Sequence, residues 1–225
     1  MISVIVPVLN EAKTLRNQIH HLAALDGDSE IIVIDGGSTD GTQEIVRAMA
    51  NACLIEAQRG RGVQIQIGAE AARGDVLLVV HADSRLPADA LLSVEQAIAD
   101  GARWGWFDIR YDTEHAAMRL IPTYLNAHAW LLGEPTGENA MWSTREAWEE
   151  AGGCPRIPLM EDLELARRLR RVARGRRLPG PVVCSARRYR AWTAVGMSLR
   201  CATLWALFHL GASPETLERF YPEVR

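Results

Sequence analysis

Two short apolar runs constrain this chain more than anything else in it. Ile31-Ile32-Val33-Ile34 stops on Asp35, and Val76-Leu77-Leu78-Val79-Val80 stops in His81-Ala82-Asp83. Both runs are continuous and rich in β-branched residues, and both are too short to be buried helices. A run without a polar face must be covered on both sides, which is the situation of a strand inside a parallel sheet. Parallel strands in turn need long crossover connections, so helical segments are expected between them.

The spacing along the chain supplies those segments. Residues 2–7 read as a first strand, followed by a loop at Pro7 and Asn10 and a helix from Glu11 to about Leu25. The second strand ends at Asp35 and opens into the loop Gly36-Gly37-Ser38-Thr39-Asp40-Gly41, with Ser38 or Asp40 as cap of a helix to about Ala50. Residues 53–56 give a third strand, Arg59-Gly60-Arg61-Gly62 a basic loop, and a helix follows to Arg73. The fourth strand runs to Asp83, and Pro87 starts a helix to Asp100. The second half is less regular: a strand at 103–111, a helix at 115–132, a loop and short strand at 133–143, and a helix from about Glu161 to Ala173. A strand at 181–184 and two C-terminal helices follow, the last capped by Ser213. The expected class is α/β: a single doubly wound, Rossmann-like, mostly parallel sheet flanked by helices, with C-terminal helices.

At 225 residues and 48% hydrophobic, the chain can bury one substantial core, so one domain over 1–225 is expected. Its first hundred residues form a regular half and 101–225 an irregular one. A net charge of -3 gives no basic field for nucleic acid. Cys53, Cys154, Cys184 and Cys201 have neither metal-site nor redox spacing and read as core thiols of a reducing cytoplasm. The start MISVIVPVLN lacks the basic segment of a signal peptide, and the apolar run Cys201–Phe208 is far short of a membrane span. Lys13 is the only lysine, and eleven arginines lie between Arg156 and Arg190 against three acids. The set Arg167, Arg168, Arg170, Arg171 and Arg174 circles a helix and reads as a solvated face, with an anionic membrane surface as the other reading.

Ligands of open α/β sheets bind beyond the carboxyl ends of the strands, so carboxylates there draw notice. Asp35 at such an end suits a ribose hydroxyl or a base N–H, where the plainer reading is a turn residue. Asp40 reads better as a helix cap. His81 and Asp83, two apart on a strand, would share one face and converge on a metal or a sugar. Their oxygen and imidazole donors suit Mn²⁺ or Mg²⁺, with diphosphate and water completing the shell. Glu161, Asp162 and Glu164 crowd a helix start after a proline-bounded loop. They complement the helix dipole, and one of them suits a general base. Arg59, Arg61, Arg187 and Arg188 sit in loops where guanidinium groups can grip phosphate. Neither a dinucleotide fingerprint nor a phosphate-binding P-loop occurs.

VIVPVLNE, IIVIDGGSTDGT, RGDVLLVVHADS and LMEDLEL, with SARRY after them, resemble in this order the family 2 glycosyltransferases of the GT-A fold. HAD-x-RLP, PLMED and ARR-aromatic together are most similar to the radical-SAM/selenodomain-associated transferases. The resemblance implies inverting transfer of a sugar from a nucleoside diphosphate sugar, most often a UDP-sugar, to an acceptor that the sequence does not name. Carried over by position, Pro7 and Glu11 line the nucleoside pocket, Asp35 contacts uracil or ribose, and Arg59 or Arg61 sits beside the base. Asp83 holds the metal, Asp162 is the base with Glu161 nearby, and Arg188 neutralises the leaving diphosphate. Three positions depart from the pattern. His81 replaces the first aspartate of the metal triplet, Glu138-Asn139 replaces an Asp-Gln pair on the acceptor side, and Gln66 replaces an asparagine.

Other functions fit less well. A nucleotidyltransferase needs glycines after strand one, where this chain has Pro7-Val8-Leu9-Asn10. A degenerate nucleotide-sugar-binding or partner protein is the alternative that His81 favours and Asp83 and Asp162 oppose. The stripe of leucines from Val195 to Gly211, with Trp205 and Phe208, reads as core or as a homodimer face. Peripheral membrane contact is its other reading.

Overall fold

The computed structural model describes residues 1–113, 116–186 and 194–221. Its strands are β1 (Ile2–Val8), β2 (Ser29–Asp35), β3 (Cys53–Glu56), β4 (Val76–Val79), β5 (Ser84–Arg85), β6 (Trp104–Tyr111), β7 (Trp142–Thr144) and β8 (Arg176–Cys184). Its helices are α1 (Ala12–Ala23), α2 (Thr42–Arg47), α3 (Arg61–Ala71), α4 (Ala90–Ala99), α5 (Ala116–Leu132), α6 (Arg145–Glu150), α7 (Glu161–Val172), α8 (Ala194–His209) and α9 (Pro214–Glu218). A short 3₁₀ turn spans Gly137–Asn139.

The strands form one sheet in the order β3-β2-β1-β4-β7-β6-β8-β5. β1 pairs in parallel with β2 and β4, and β2 in parallel with β3. The doubly wound reading of the first half therefore holds. β7 runs antiparallel to both β4 and β6, and β8 is parallel to β6. The apolar runs are covered on both faces, as their composition requires. Val4, Val6 and Val8 pack with α1 and α4 residues such as Leu15 and Leu91, while Ile5, Ile32 and Ile34 pack with Ile65 of α3 and Leu165 of α7. A third cluster joins α8 and α9 to the start of α7 through Leu204, Leu217, Leu159 and Leu163. Among the described residues no helix is long and apolar enough to cross a membrane.

Several boundaries differ from the sequence reading. β4 ends at Val79, so His81 and Asp83 lie in the turn beyond it and the two-residue strand spacing does not align them. Arg61 and Gly62 belong to α3 rather than to the basic loop. Gly41, at φ 88°, takes the N-cap position of α2, while Asp40 Oδ1 accepts the Thr42 N–H at 3.1 Å from one residue earlier. β8 begins five residues before the expected strand, because its pairing with β6 shifts register between Phe107 and Ile109 and so accommodates Pro179-Gly180. Cys154 and Cys184 are buried as expected, but Cys53 is exposed.

Candidate active site

The site follows from the strand order. From β1 the chain builds β2 and β3 to one side and then returns to place β4 on the other. Loops leaving β1 and β4 therefore diverge, and a crevice opens between them. A cleft of about 610 Å³ lies there, lined by Pro7 and Glu11 after β1, His81 and Asp83 after β4, and Arg59 and Arg61 at the start of α3. Its far wall comes from Glu138, the segment Arg156–Leu159, and Tyr221. A smaller apolar pocket of about 80 Å³ adjoins it, sharing Arg61, His81, Glu138, Leu159 and Tyr221. Asp162 lines this second pocket beside Leu125, Leu204 and Trp205.

Of the residues singled out in the sequence, Pro7, Glu11, Arg59, Arg61, His81, Asp83, Glu138 and Asp162 thus come together. Two buried amides hold the rim in shape. Gln64 Nε2 donates to the carbonyls of Val8 and Ile34, each at 2.8 Å, tying the ends of β1 and β2. Gln18 Nε2 donates to the carbonyls of Ser84 at 2.6 Å and His81 at 3.2 Å, pinning the turn after β4. Neither glutamine was singled out in the sequence. Their signal there is a polar residue on the buried face of an otherwise apolar helix stripe.

Asp162 stands at the first turn of α7. One carboxylate oxygen accepts the Gly137 N–H at 2.7 Å and the other its neighbour Leu163 N–H at 2.8 Å. Gly137 is also where His81 arrives. A β-carbon placed there would stand 2.8 Å from His81 Nε2 and 3.5 Å from Asp162 Oδ2, so a side chain at this position would displace the imidazole. Met160, just before α7, has φ 65°, an unfavourable region for a side chain. Such strain persists where the surroundings over-determine it, and here it turns α7 so that Asp162 faces the pocket.

Glu161 points elsewhere. It is 1% exposed and forms an ion pair with Arg61 across the base of the cleft. Burial raises its carboxyl above the ordinary value, opposed by Arg61 and reinforced by Asp162. For Arg61, burial is outweighed by the attraction of Glu161 and Asp162, so its charge is held. The pair links the start of α3 to the start of α7, aided by Gly62, whose missing side chain lets α3 approach the Pro155 carbonyl.

Asp35 is fully buried and lines neither pocket. Its carboxylate accepts hydrogen bonds from the Ser38 hydroxyl, from Gln43 Nε2 at 2.7 Å and from the Ser38 and Gly37 N–H groups at 2.9 and 3.1 Å. Burial alone would raise this carboxyl, and these donors hold it below its ordinary value. Asn139 is likewise engaged: its amide caps Thr136 and donates to the Phe107 carbonyl at 2.8 Å. Glu138 faces the cleft, with Tyr111 Oη donating to it at 2.7 Å. Arg188 lies outside the described residues. The arginines of α7 are not a uniformly solvated face, since Arg167 and Arg170 pair with the buried Glu134.

Among the described residues no group of three His, Cys, Asp or Glu side chains could hold a metal ion. His81 and Asp83 both line the cleft. This fits an ion of the Mg²⁺ or Mn²⁺ type, which keeps water and substrate phosphate in its shell.

Comparison with known proteins agrees with the fold. Glycosyl transferase family 2 matches residues 3–151, and the chain belongs to that family. A relative, the undecaprenyl-phosphate 4-deoxy-4-formamido-L-arabinose transferase of Aeromonas hydrophila, is 30% identical over 45% of this chain and 34% of its own length. The chain spans well under half the length of the curated relatives it matches. Among solved structures, the mannosyltransferase PcManGT of Pyrobaculum calidifontis, in complex with GDP-Man and Mn²⁺, covers 97% of this chain and 67% of its own, with TM-score 0.68 and 20% identity. S. aureus TarS in complex with UDP-GlcNAc covers 82% and 58%, with TM-score 0.68 and 18% identity. The fold is that of the GT-A glycosyltransferases.

Proposed function

We propose that the chain transfers a sugar, with inversion, from a nucleoside diphosphate sugar, read as a UDP-sugar, to an acceptor oxygen that Asp162 activates. The observation that carries this reading is the junction of two cavities. A cleft at the switch point of the sheet meets a small, more apolar pocket, and Asp162 lines the pocket beside that junction. Donor and acceptor can therefore meet at one carboxylate.

In this reading Pro7 and Glu11 bound the nucleoside and Arg59 and Arg61 face its phosphates, with Arg188 as a further cation. A divalent ion held by Asp83 and His81, Mn²⁺ or Mg²⁺, would stabilise negative charge on the leaving diphosphate. The acceptor oxygen bonds to the anomeric carbon as the bond to the diphosphate breaks. The electron pair of that bond leaves on the diphosphate, and the proton of an acceptor hydroxyl, or the last proton of an acceptor phosphate, passes to Asp162. Glu161 acts through Arg61 and positions α7. Asp35 and Asn139 act through the loops they hold, and Glu138 faces the acceptor. The reading of 1–225 as one working unit is supported by the single sheet that runs through both halves, the first hundred residues gripping the donor and 101–225 the acceptor.

Three features support an isoprenoid phosphate as acceptor and a cytoplasmic, membrane-peripheral site of action: the name of the Aeromonas relative, the apolar lining near Asp162, and the leucine-rich α8 above it. The likeness to radical-SAM-associated transferases rests on the motifs alone. Thermal denaturation with UDP and GDP, each with and without Mn²⁺, tests the donor site. A ligand at a hundredfold excess over its Kd adds about 2.7 kcal/mol. A shift with UDP that needs Mn²⁺ and is lost in Asp83→Ala is expected. No shift with either nucleotide would overturn the reading, and binding without release of nucleotide from a sugar donor would favour a binding module.

A further inference from the structure

The largest exposed apolar side chains are not scattered. Of the eleven large hydrophobic residues exposed in the described structure, nine lie on α5, on or just after α8, and just after α9. On α5, Leu120, Tyr124, Ala127 and Leu131 recur at helical spacing and all face solvent, with Leu120 and Leu131 about 70% exposed, at 70% and 69%. α8 repeats the pattern with Leu199, Thr203, Ala206 and Leu210, where Leu210 is 84% exposed. An amphipathic helix of a globular protein turns such a stripe toward the core. Here two stripes point outward, so the core reading of residues 195–211 holds only for buried positions such as Met197 and Leu204.

The two stripes form one surface. The rings of His128 on α5 and Trp205 on α8 lie 4.8 Å apart, and His209 of α8 meets Glu134 just beyond α5 at 2.9 Å. Neither 120–133 nor 201–214 contains a lysine, arginine, aspartate or glutamate. The charges stand at the edges, and they are mostly positive. Arg119 precedes Leu120, Arg200 follows Leu199, and Arg219 precedes the exposed Phe220. Arg170 donates to the Leu132 carbonyl, bringing the arginine-rich end of α7, with exposed Arg171, to the end of α5. Nearby Glu134 is buried and paired, leaving Glu215 and Glu218 on α9 as the exposed acids of this face among the described residues.

We propose that the α5–α8 face docks on an anionic phospholipid bilayer, with its leucines and aromatics entering the interfacial region and the arginine rim meeting lipid phosphates. An apolar face with a basic rim matches both properties of that surface, whereas a second copy of the chain would bring arginine rim against arginine rim. The face is continuous with the small pocket at Asp162, whose wall includes Leu125 of α5 and Cys201, Leu204 and Trp205 of α8. Docking would therefore deliver a lipid-borne acceptor between these helices to the carboxylate. That last step rests on the transferase reading. The docking itself does not.

The test is flotation of the full chain with vesicles of phosphatidylcholine alone and of phosphatidylcholine mixed with phosphatidylglycerol, without donor. The expected result is co-flotation with the anionic vesicles that weakens as salt rises. The double variant Leu131→Ser, Leu210→Ser should partition about tenfold or more weakly while keeping the wild-type melting temperature, because both positions are exposed. The double variant Arg119→Glu, Arg171→Glu should lose the preference for anionic vesicles. A folded chain that does not float, or one whose flotation ignores these substitutions, would overturn the proposal. So would a dimer in analytical ultracentrifugation that the leucine variant dissociates. Nucleotide-induced thermal shifts on the same samples separate the two readings, since vesicle binding without nucleotide binding removes the transferase reading only.

Discussion

Glu161 and Asp162 are adjacent in the chain, yet a helix start turns them to opposite uses. Glu161 faces Arg61 in the interior and Asp162 faces the pocket. Glu161→Gln leaves a guanidinium without its charge partner. Because Arg61 keeps a third of its side-chain exposure, the expected loss is about 2 kcal/mol, read as a lower urea midpoint at unchanged slope. Asp35 makes a second case. Its carboxyl is held below the ordinary value of 3.8 by donors from its own loop, so its stabilising effect is present above that pH and fades as pH falls through the lower folded value. Asp35→Asn should cost about 2 kcal/mol at neutral pH, and the gap to wild type should close in unfolding curves taken below pH 3.8. The sequence marked Asp35 through its place at a strand end. It could not show that Ser38 and Gln43 would turn back to enclose it, because those contacts depend on the path of the loop.

At the scale of elements, close approach decides more than propensity. α3 meets the 155–157 loop through Gly62, where a β-carbon would lie 2.2 Å from the Pro155 carbonyl oxygen. Gly62→Ala is therefore expected to destabilise the fold by roughly 1–3 kcal/mol and to weaken nucleotide binding, since Arg59 and Arg61 ride on the same helix start. Calorimetric titration with UDP checks the second effect. The contrary case is Ala140, which is buried with φ 43°. Ala140→Gly should raise the melting temperature, by up to about 1 kcal/mol in stability. The first four strands and their helices were legible in the sequence, because each is a continuous apolar run or an amphipathic period. α6, β5 and the first half of β8 were not. Their residues carry little periodicity, and their pairing is set by partners far away in the chain, as with Ser84 against Cys184.

Across the whole molecule, one sheet positions two chemistries. Its parallel half leaves a crevice at the switch point, and its antiparallel extension carries Gly137, Glu138 and the approach to Asp162. The motifs made the cleft readable, since Pro7, Glu11, Arg59, Arg61, His81 and Asp83 all line it. The pocket at Asp162 was readable only as acids at a helix start, because its walls are assembled from α5, α7, α8 and Tyr221, which no local pattern links. The measurement that bears most directly on the account is nucleoside diphosphate release from UDP-GlcNAc, UDP-glucose and GDP-mannose with undecaprenyl phosphate as acceptor, at about pH 6 where its phosphate still carries a proton, comparing wild type with Asp162→Asn. The account predicts release by the wild type, with an inverted anomeric centre in the product. It also predicts a fall of about 10²- to 10⁴-fold in the variant, whose nucleotide-induced thermal shift is retained. An Asp162→Asn enzyme as active as wild type, or a product with retained configuration, would contradict it.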